Sequence, residues 1–232
     1  MSSSTVFRGF PKSLFEFLSE LAENNQRDWF NANKARYEQD VMQPTLEFIT
    51  AMQKPLTKIS PFLTAVPKRV GGSMMRIYRD TRFGKDKSPF KLNVGIHFRH
   101  EMGRDIHAPG LYVHLQPSNC FLAAGMWMPP AEPLAMIRQS IVENSQAWKK
   151  AKNDKRMLAR YTFDGERLKT APRGYEKDHP LIEDIKCKSF AALAKVKQSE
   201  LTSANCVSTV NDILKDSRPL MRFLCESLQL PF

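Results

Sequence analysis

The stretch Arg76-Ile-Tyr-Arg-Asp-Thr-Arg-Phe-Gly-Lys-Asp-Lys-Ser-Pro-Phe-Lys91 gathers six cations, two aspartates and three aromatic rings. Building a sheet does not call for so much charge, so the segment points to an anionic ligand. Asp80 can orient Arg79 or Arg82 through a two-pronged carboxylate contact, while Lys85, Lys87 and Lys91 supply point charges suited to phosphate. Gly84 would let backbone amides come close to such a ligand. The segment is not a P-loop, because GxxxxGK[ST] is missing and no helix clearly follows. A solvated loop closed by its own ion pairs is the competing reading.

Histidines form the second chemical signal. His97 and His114 lie in runs that alternate apolar and polar residues, and each can act as acid, base or oxyanion partner. His97 and His100 have the spacing HxxH, which on a strand sends the two rings to opposite faces, so no metal site is expected. His107 falls in the loop between the two runs. Cys120, Cys187, Cys206 and Cys225 form no CxxC and no close Cys–His pair, so reduced thiols are expected.

These residues need a scaffold. Val94, Ile96 and Phe98 alternate with Gly95, His97 and Arg99; Leu111, Val113 and Leu115 alternate with Tyr112, His114 and Gln116. The pattern predicts a hairpin, and one natural register sets His97 opposite His114 and Arg99 opposite Tyr112. A slip of two residues would keep the same side chains on the same face. A turn at Ser118-Asn119 then places Phe121, Ala123, Gly125 and Trp127 beside them. If Met74–Arg79 joins the sheet with Met75 and Ile77 inward, Arg76 and Tyr78 share that polar face. Small residues make a floor there, and Trp127 makes a wall. In Pro172-Arg-Gly-Tyr175 and Asp178-His179-Pro180, two prolines and a glycine hold Arg173, Tyr175 and His179 in a loop able to close over the face.

The remaining sequence predicts the supporting layer. Ser13-Leu-Phe-Glu16 reads as a capping box ahead of a helix bearing Leu14, Phe17, Leu18 and Leu21. Asp28 can cap a second helix, and Pro44 kinks it or opens a third. After Pro129-Pro130 come helices near 134–142 and 147–152, a polar region at 153–180, a short helix at 181–187, a strand at Phe190–Val196, and helix at 203–229 broken near Pro219. Helices, then sheet, then helices give an α+β fold: a central, mostly antiparallel meander with helices packed mainly on one face. One α+β domain spanning 1–232 is expected.

A net charge of +11 favours acidic partners, and the excess lies in two blocks. Residues 71–114 carry 8 cations against 4 anions, and residues 145–200 carry 14 against 8. No apolar run approaches a membrane span and the Met-Ser-Ser-Ser-Thr start resembles no signal peptide, so a cytoplasmic protein without a membrane partner is expected.

Several motifs together carry a family resemblance. Asn24-Asn-Gln-Arg-Asp-Trp-Phe30, Lys34-Ala-Arg-Tyr-Glu38, the 76–91 stretch, Pro109-Gly-Leu-Tyr112, Gly125-Met-Trp127, Pro172-Arg-Gly-Tyr175 and Asp178-His179-Pro180 occur in the order seen in the DUF2461 family of bacterial and fungal proteins. The sequence resembles that family over nearly its whole length. It departs at Gly84, where serine is usual, and at Phe90, where tyrosine is common. The resemblance implies a single domain and no particular reaction. Its matching positions are Trp29, Arg76, Arg79, Asp80, Arg82, Lys85, Lys87, Lys91, Tyr112, Trp127, Arg173, Tyr175 and His179.

The expected function is binding of a small phosphate- or carboxylate-bearing ligand by these residues together with Arg99, with acid–base catalysis by His97 or His114 as an extension and no cofactor. The alternative is nucleic-acid binding by the basic blocks at 71–114 and 145–200.

Overall fold

The computed structural model describes residues 6–82, 85–104, 108–163 and 165–232. Gly84 and His107 therefore lie outside the described residues. The strands are β1 (Leu63–Thr64), β2 (Val94–His100), β3 (Gly110–Leu115), β4 (Phe121–Met126), β5 (Thr162–Phe163) and β6 (Phe190–Lys195). Among the described residues they form a six-stranded sheet in the order β1-β2-β3-β4-β6-β5, antiparallel throughout. The meander at its centre matches the sequence expectation, and the fold is α+β.

Period-two alternation decides which face is covered. Val94, Ile96, Phe98, Leu111, Val113, Leu115, Leu122 and Ala192 are all buried. Against them lies a layer of helices, including α4 (Gln43–Thr57), α10 (Cys206–Asp216) and α11 (Arg218–Ser227). Truncating a ring such as Phe98 here would cost about 3–5 kcal/mol. The opposite face holds His97, Arg99, Tyr112, His114, Phe121 and Leu193 and stays at least partly exposed.

Helix α1 (Lys12–Glu23) starts one residue before the expected capping box, with Pro11 at its N-cap and no side-chain cap, so Ser13 and Glu16 do not form that box. Likewise Asp28 lies in the first turn of α2 (Arg27–Ala32) behind a Gln26 N-cap. After α3 (Lys34–Arg36) comes a π-helical turn at Tyr37–Met42. Pro44, having no N–H to give, then sits in the first turn of α4. Beyond β4 come α5 (Ala131–Glu143), α6 (Ser145–Lys152), α7 (Lys155–Leu158), α8 (Ile182–Ile185) and, after β6, α9 (Gln198–Leu201). Strand β5 lies inside the 153–180 region that reads as turns in the sequence. None of the helices among the described residues is long and apolar enough to cross a membrane.

Candidate ligand-binding groove on the second sheet face

Between β2 and β3 the register pairs His97 with Tyr112, Gly95 with His114 and Arg99 with Gly110. This is a slip of two from the expected pairing, and it leaves every one of these side chains on the expected face. Strand β4 continues the floor with Ala123 beside Tyr112 and Gly125 beside Gly110. Strand β6 adds Leu193 beside Ala123 and Ala191 beside Gly125. The face is hollowed into a cavity of about 810 Å³. Its floor has almost no side chain beyond Cβ, because Gly110, Ala123, Gly125 and Ala191 form it. Met75, Ala108, Phe121, Trp127, Pro129 and Leu193 supply apolar walls. Trp127 is 69% exposed at the rim.

Two aromatic side chains lean in opposite directions over glycines of the neighbouring strand. The His97 ring covers Gly110: a Cβ built there would stand 2.3 Å from His97 Nε2. The Tyr112 ring covers Gly95, where a Cβ would meet its hydroxyl at 2.7 Å and Met75 Sδ at 2.9 Å. Both glycines are thus required by close approach of a side chain rather than by a special backbone angle.

His97 and Arg99 make the cationic end of the groove. Arg99 Nε donates to His97 Nδ1 at 3.3 Å, so the neutral ring carries its proton on Nε2. Burial, with the Arg99 charge adding to it, pushes the His97 pKa down to about 4. The ring is uncharged at pH 7. Among the described residues no carboxylate pairs with Arg99, and His97 Nε2 has no hydrogen-bond partner.

At the other end Tyr112, which lines the cavity, is backed by a chain of hydrogen bonds. His114 Nε2 donates to Gln116 Oε1 at 3.0 Å, which leaves Nδ1 to accept from the Tyr112 hydroxyl at 3.0 Å. Asn93 Nδ2 approaches the same Nδ1 at 3.4 Å and the Tyr112 oxygen at 3.5 Å. His114 stacks on Phe121 with centroids 4.4 Å apart and planes at 14°. Burial lowers the His114 pKa, opposed by the Gln116 contact, and burial raises that of Tyr112, opposed by Asn93.

Of the side chains singled out in the sequence, His97, Arg99, Tyr112 and Trp127 line this cavity, and His114 joins through Tyr112. The 76–91 segment goes elsewhere. Met74 bridges to Ile96, but then the chain leaves the sheet, so Met74–Arg79 is no strand. Met74 and Ile77 are the buried residues, and Met75 turns outward into the cavity wall, the reverse of the expected parity at that position. Arg76 and Tyr78 accordingly do not line the groove. Tyr78 bridges to Phe90, and the hairpin so formed packs on the α1–α2 corner. Asn25 grips Phe90 from both sides, with its Nδ2 donating to Phe90 O at 3.0 Å and its Oδ1 accepting from Phe90 N at 3.1 Å. Phe30 stacks on Phe90 at 4.2 Å, and Trp29 packs against Phe17 beneath them.

Two of the hairpin's cations meet carboxylates of the same segment. Arg79 pairs with Asp86, which also receives hydrogen bonds from Ser88. The Arg79 and Ser88 contacts hold the Asp86 carboxyl well below the usual range. Arg82 forks onto Asp80 at 3.0 and 2.8 Å, and Lys87 donates to Thr81 O at 2.8 Å. Lys85 is exposed, and the Lys91 pKa is lowered by partial burial and by Arg76. Arg173, Tyr175 and His179 are also away from the cavity. The Gly174 φ of 90° and a Tyr175 N to Pro172 O bond of 3.2 Å form a turn whose Tyr175 lies near Arg138 of α5. His179 Nδ1 accepts from Leu181 N at 3.1 Å just ahead of α8.

The HxxH pair splays as expected: His100 is buried on the helical side, where its Nε2 donates to Pro231 O at 2.9 Å. No group of three or more His, Cys, Asp or Glu side chains among the described residues is placed to hold a metal ion. Sequence reasoning missed Asn93, Gln116, Ala191 and Leu193. The β6 run Phe-Ala-Ala-Leu-Ala-Lys has small apolar residues on both faces, so its parity carries no signal.

An antiparallel sheet with helices over one face and a cavity of about 810 Å³ in the other defines an α+β protein. The chain belongs to the DUF2461 family, described as a conserved hypothetical protein, whose profile matches residues 13–223. Comparison with curated proteins and with solved structures yields no match.

Proposed function

We propose that this protein binds a small organic carboxylate whose body is flat and apolar, in the groove across β2, β3, β4 and β6. The observation that carries the reading is a guanidinium beside a neutral imidazole N–H, Arg99 and His97, at one end of a groove otherwise lined by small and apolar groups. A single guanidinium fork matches one carboxylate, and the flat floor with a tryptophan wall suits an aromatic body. A polyphosphate would need the cations of the hairpin, and Arg79 and Arg82 are engaged there with Asp86 and Asp80. His97 presents Nε2–H to the groove and gives its Nδ1 lone pair to Arg99, so its role is that of a donor to the anion rather than of a base.

Isothermal titration with biphenyl-4-carboxylate tests this. Wild-type protein should bind it, and Arg99→Gln should weaken binding roughly ten- to a hundredfold, as expected for loss of a charged hydrogen bond. No binding, or equal binding by R99Q, would overturn the reading.

A second reading is favoured by Tyr78, whose ring is 53% exposed on the same hairpin as the exposed Lys85 and Lys87. An aromatic platform beside cations suits single-stranded nucleic acid. Retention of a single-stranded oligonucleotide that falls steeply with salt, and falls further in Tyr78→Ala, is the expected result; salt-independent retention would reject it.

A further inference from the structure

The two ends of the groove differ in hydrogen-bonding sense, and this narrows the ligand beyond the carboxylate reading on which it rests. At the Gly110 end the polar atoms are donors, Arg99 and His97 Nε2–H. At the Gly95 end the Tyr112 hydroxyl gives its proton to His114 Nδ1, because Gln116 already takes the Nε2 proton. The phenol oxygen therefore offers lone pairs, and the nearest donor to them is Asn93 Nδ2 at a long 3.5 Å. The Tyr112 oxygen is thus an acceptor at this end, held so by His114 and Gln116 behind it. Gly110 and His114 are four residues apart on β3, which separates the two ends by about 13 Å along the strand.

We propose that Tyr112 is a specificity-determining residue that receives a hydroxyl or amine N–H of the ligand, at the end of the molecule away from its carboxylate. His114 is the positioning residue: by taking the phenol proton it fixes Tyr112 as an acceptor. The ligand class is then an elongated, flat hydroxy- or amino-substituted acid.

Three probes test the idea by calorimetry at pH 7: biphenyl-4-carboxylate, 4′-hydroxybiphenyl-4-carboxylate and 4-hydroxybiphenyl. The hydroxy acid should bind the wild-type protein roughly three- to tenfold tighter than the unsubstituted acid, the worth of one hydrogen bond. In Tyr112→Phe that preference should disappear, and a denaturant melt beside the titration shows the variant to be folded. Equal binding of the two acids by wild type would overturn this proposal and leave the carboxylate reading standing. Binding of 4-hydroxybiphenyl as tight as the hydroxy acid would instead remove the role of Arg99. A preference that persists in Y112F would assign the hydroxyl to another residue and overturn the role of Tyr112.

Discussion

His97 Nε2 occupies the space where Gly110 would carry a side chain, 2.3 Å from an ideal Cβ position on the facing strand. Absence of a methyl group at residue 110 is thus what allows the imidazole to reach over the facing strand at the cavity wall.

Gly110→Ala should therefore injure binding more than folding. The obstructed atom is the end of a movable ring, so the cost to stability is about 1 kcal/mol, at the low end for overpacking. His97 must swing away, and affinity for biphenyl-4-carboxylate should fall several-fold. Calorimetry beside a denaturant melt separates the two effects.

Gly125→Ala should do the opposite. Gly125 has φ of 119°, and its Cβ would stand 2.0 Å from Phe190 O, a backbone atom that cannot step aside. A loss of about 3 kcal/mol or more is expected. A variant with an unchanged melt would show that β4 and β6 do not approach as described.

Stability should depend on pH through His97. Its pKa falls from 6.5 to about 4 on folding, so between those values the unfolded chain binds the proton and the folded protein does not. The His97 contribution is fully present above 6.5 and is lost as the pH drops towards 4, with a slope of at most about 1.4 kcal/mol per pH unit. Denaturant melts of the wild type and His97→Gln across this window should differ in slope, the variant being flatter. Carboxylate binding, resting on neutral His97 and Arg99, should stay level from about pH 6 to 8.

Asn25→Ala should loosen the 77–91 hairpin. Both Asn25 bonds to the Phe90 backbone disappear, at a cost of about 1–3 kcal/mol. Amide exchange at Arg79 and Lys91, which bond to Pro89 O and Ile77 O, should accelerate, while groove amides such as His97 keep their protection.

Face assignment on β2, β3 and β4 was legible because period two survives any even slip, and the side chains of each face differ in polarity. The register was not, since the 3-10 turn at Glu101–Arg104 uses residues that sequence leaves to the loop. Met74 and Met75 are chemically alike, so nothing in the sequence says which turns inward. The loop charges were visible, yet their destination was not: Asp80 and Asp86 sit close enough in sequence to neutralise Arg82 and Arg79 on the spot. The Asn25–Phe90 grip joins residues 65 apart and has no local signature.

Trp127 stands 69% exposed on the groove wall, whereas Trp148 is 2% exposed in the core and Trp29 is packed on Phe17. An occupant would strip water from the rim indole and shift its fluorescence to the blue, with the core indole as a steady background. The protein thereby carries its own optical reporter, and unlabelled compounds can be screened for occupancy from intrinsic emission alone.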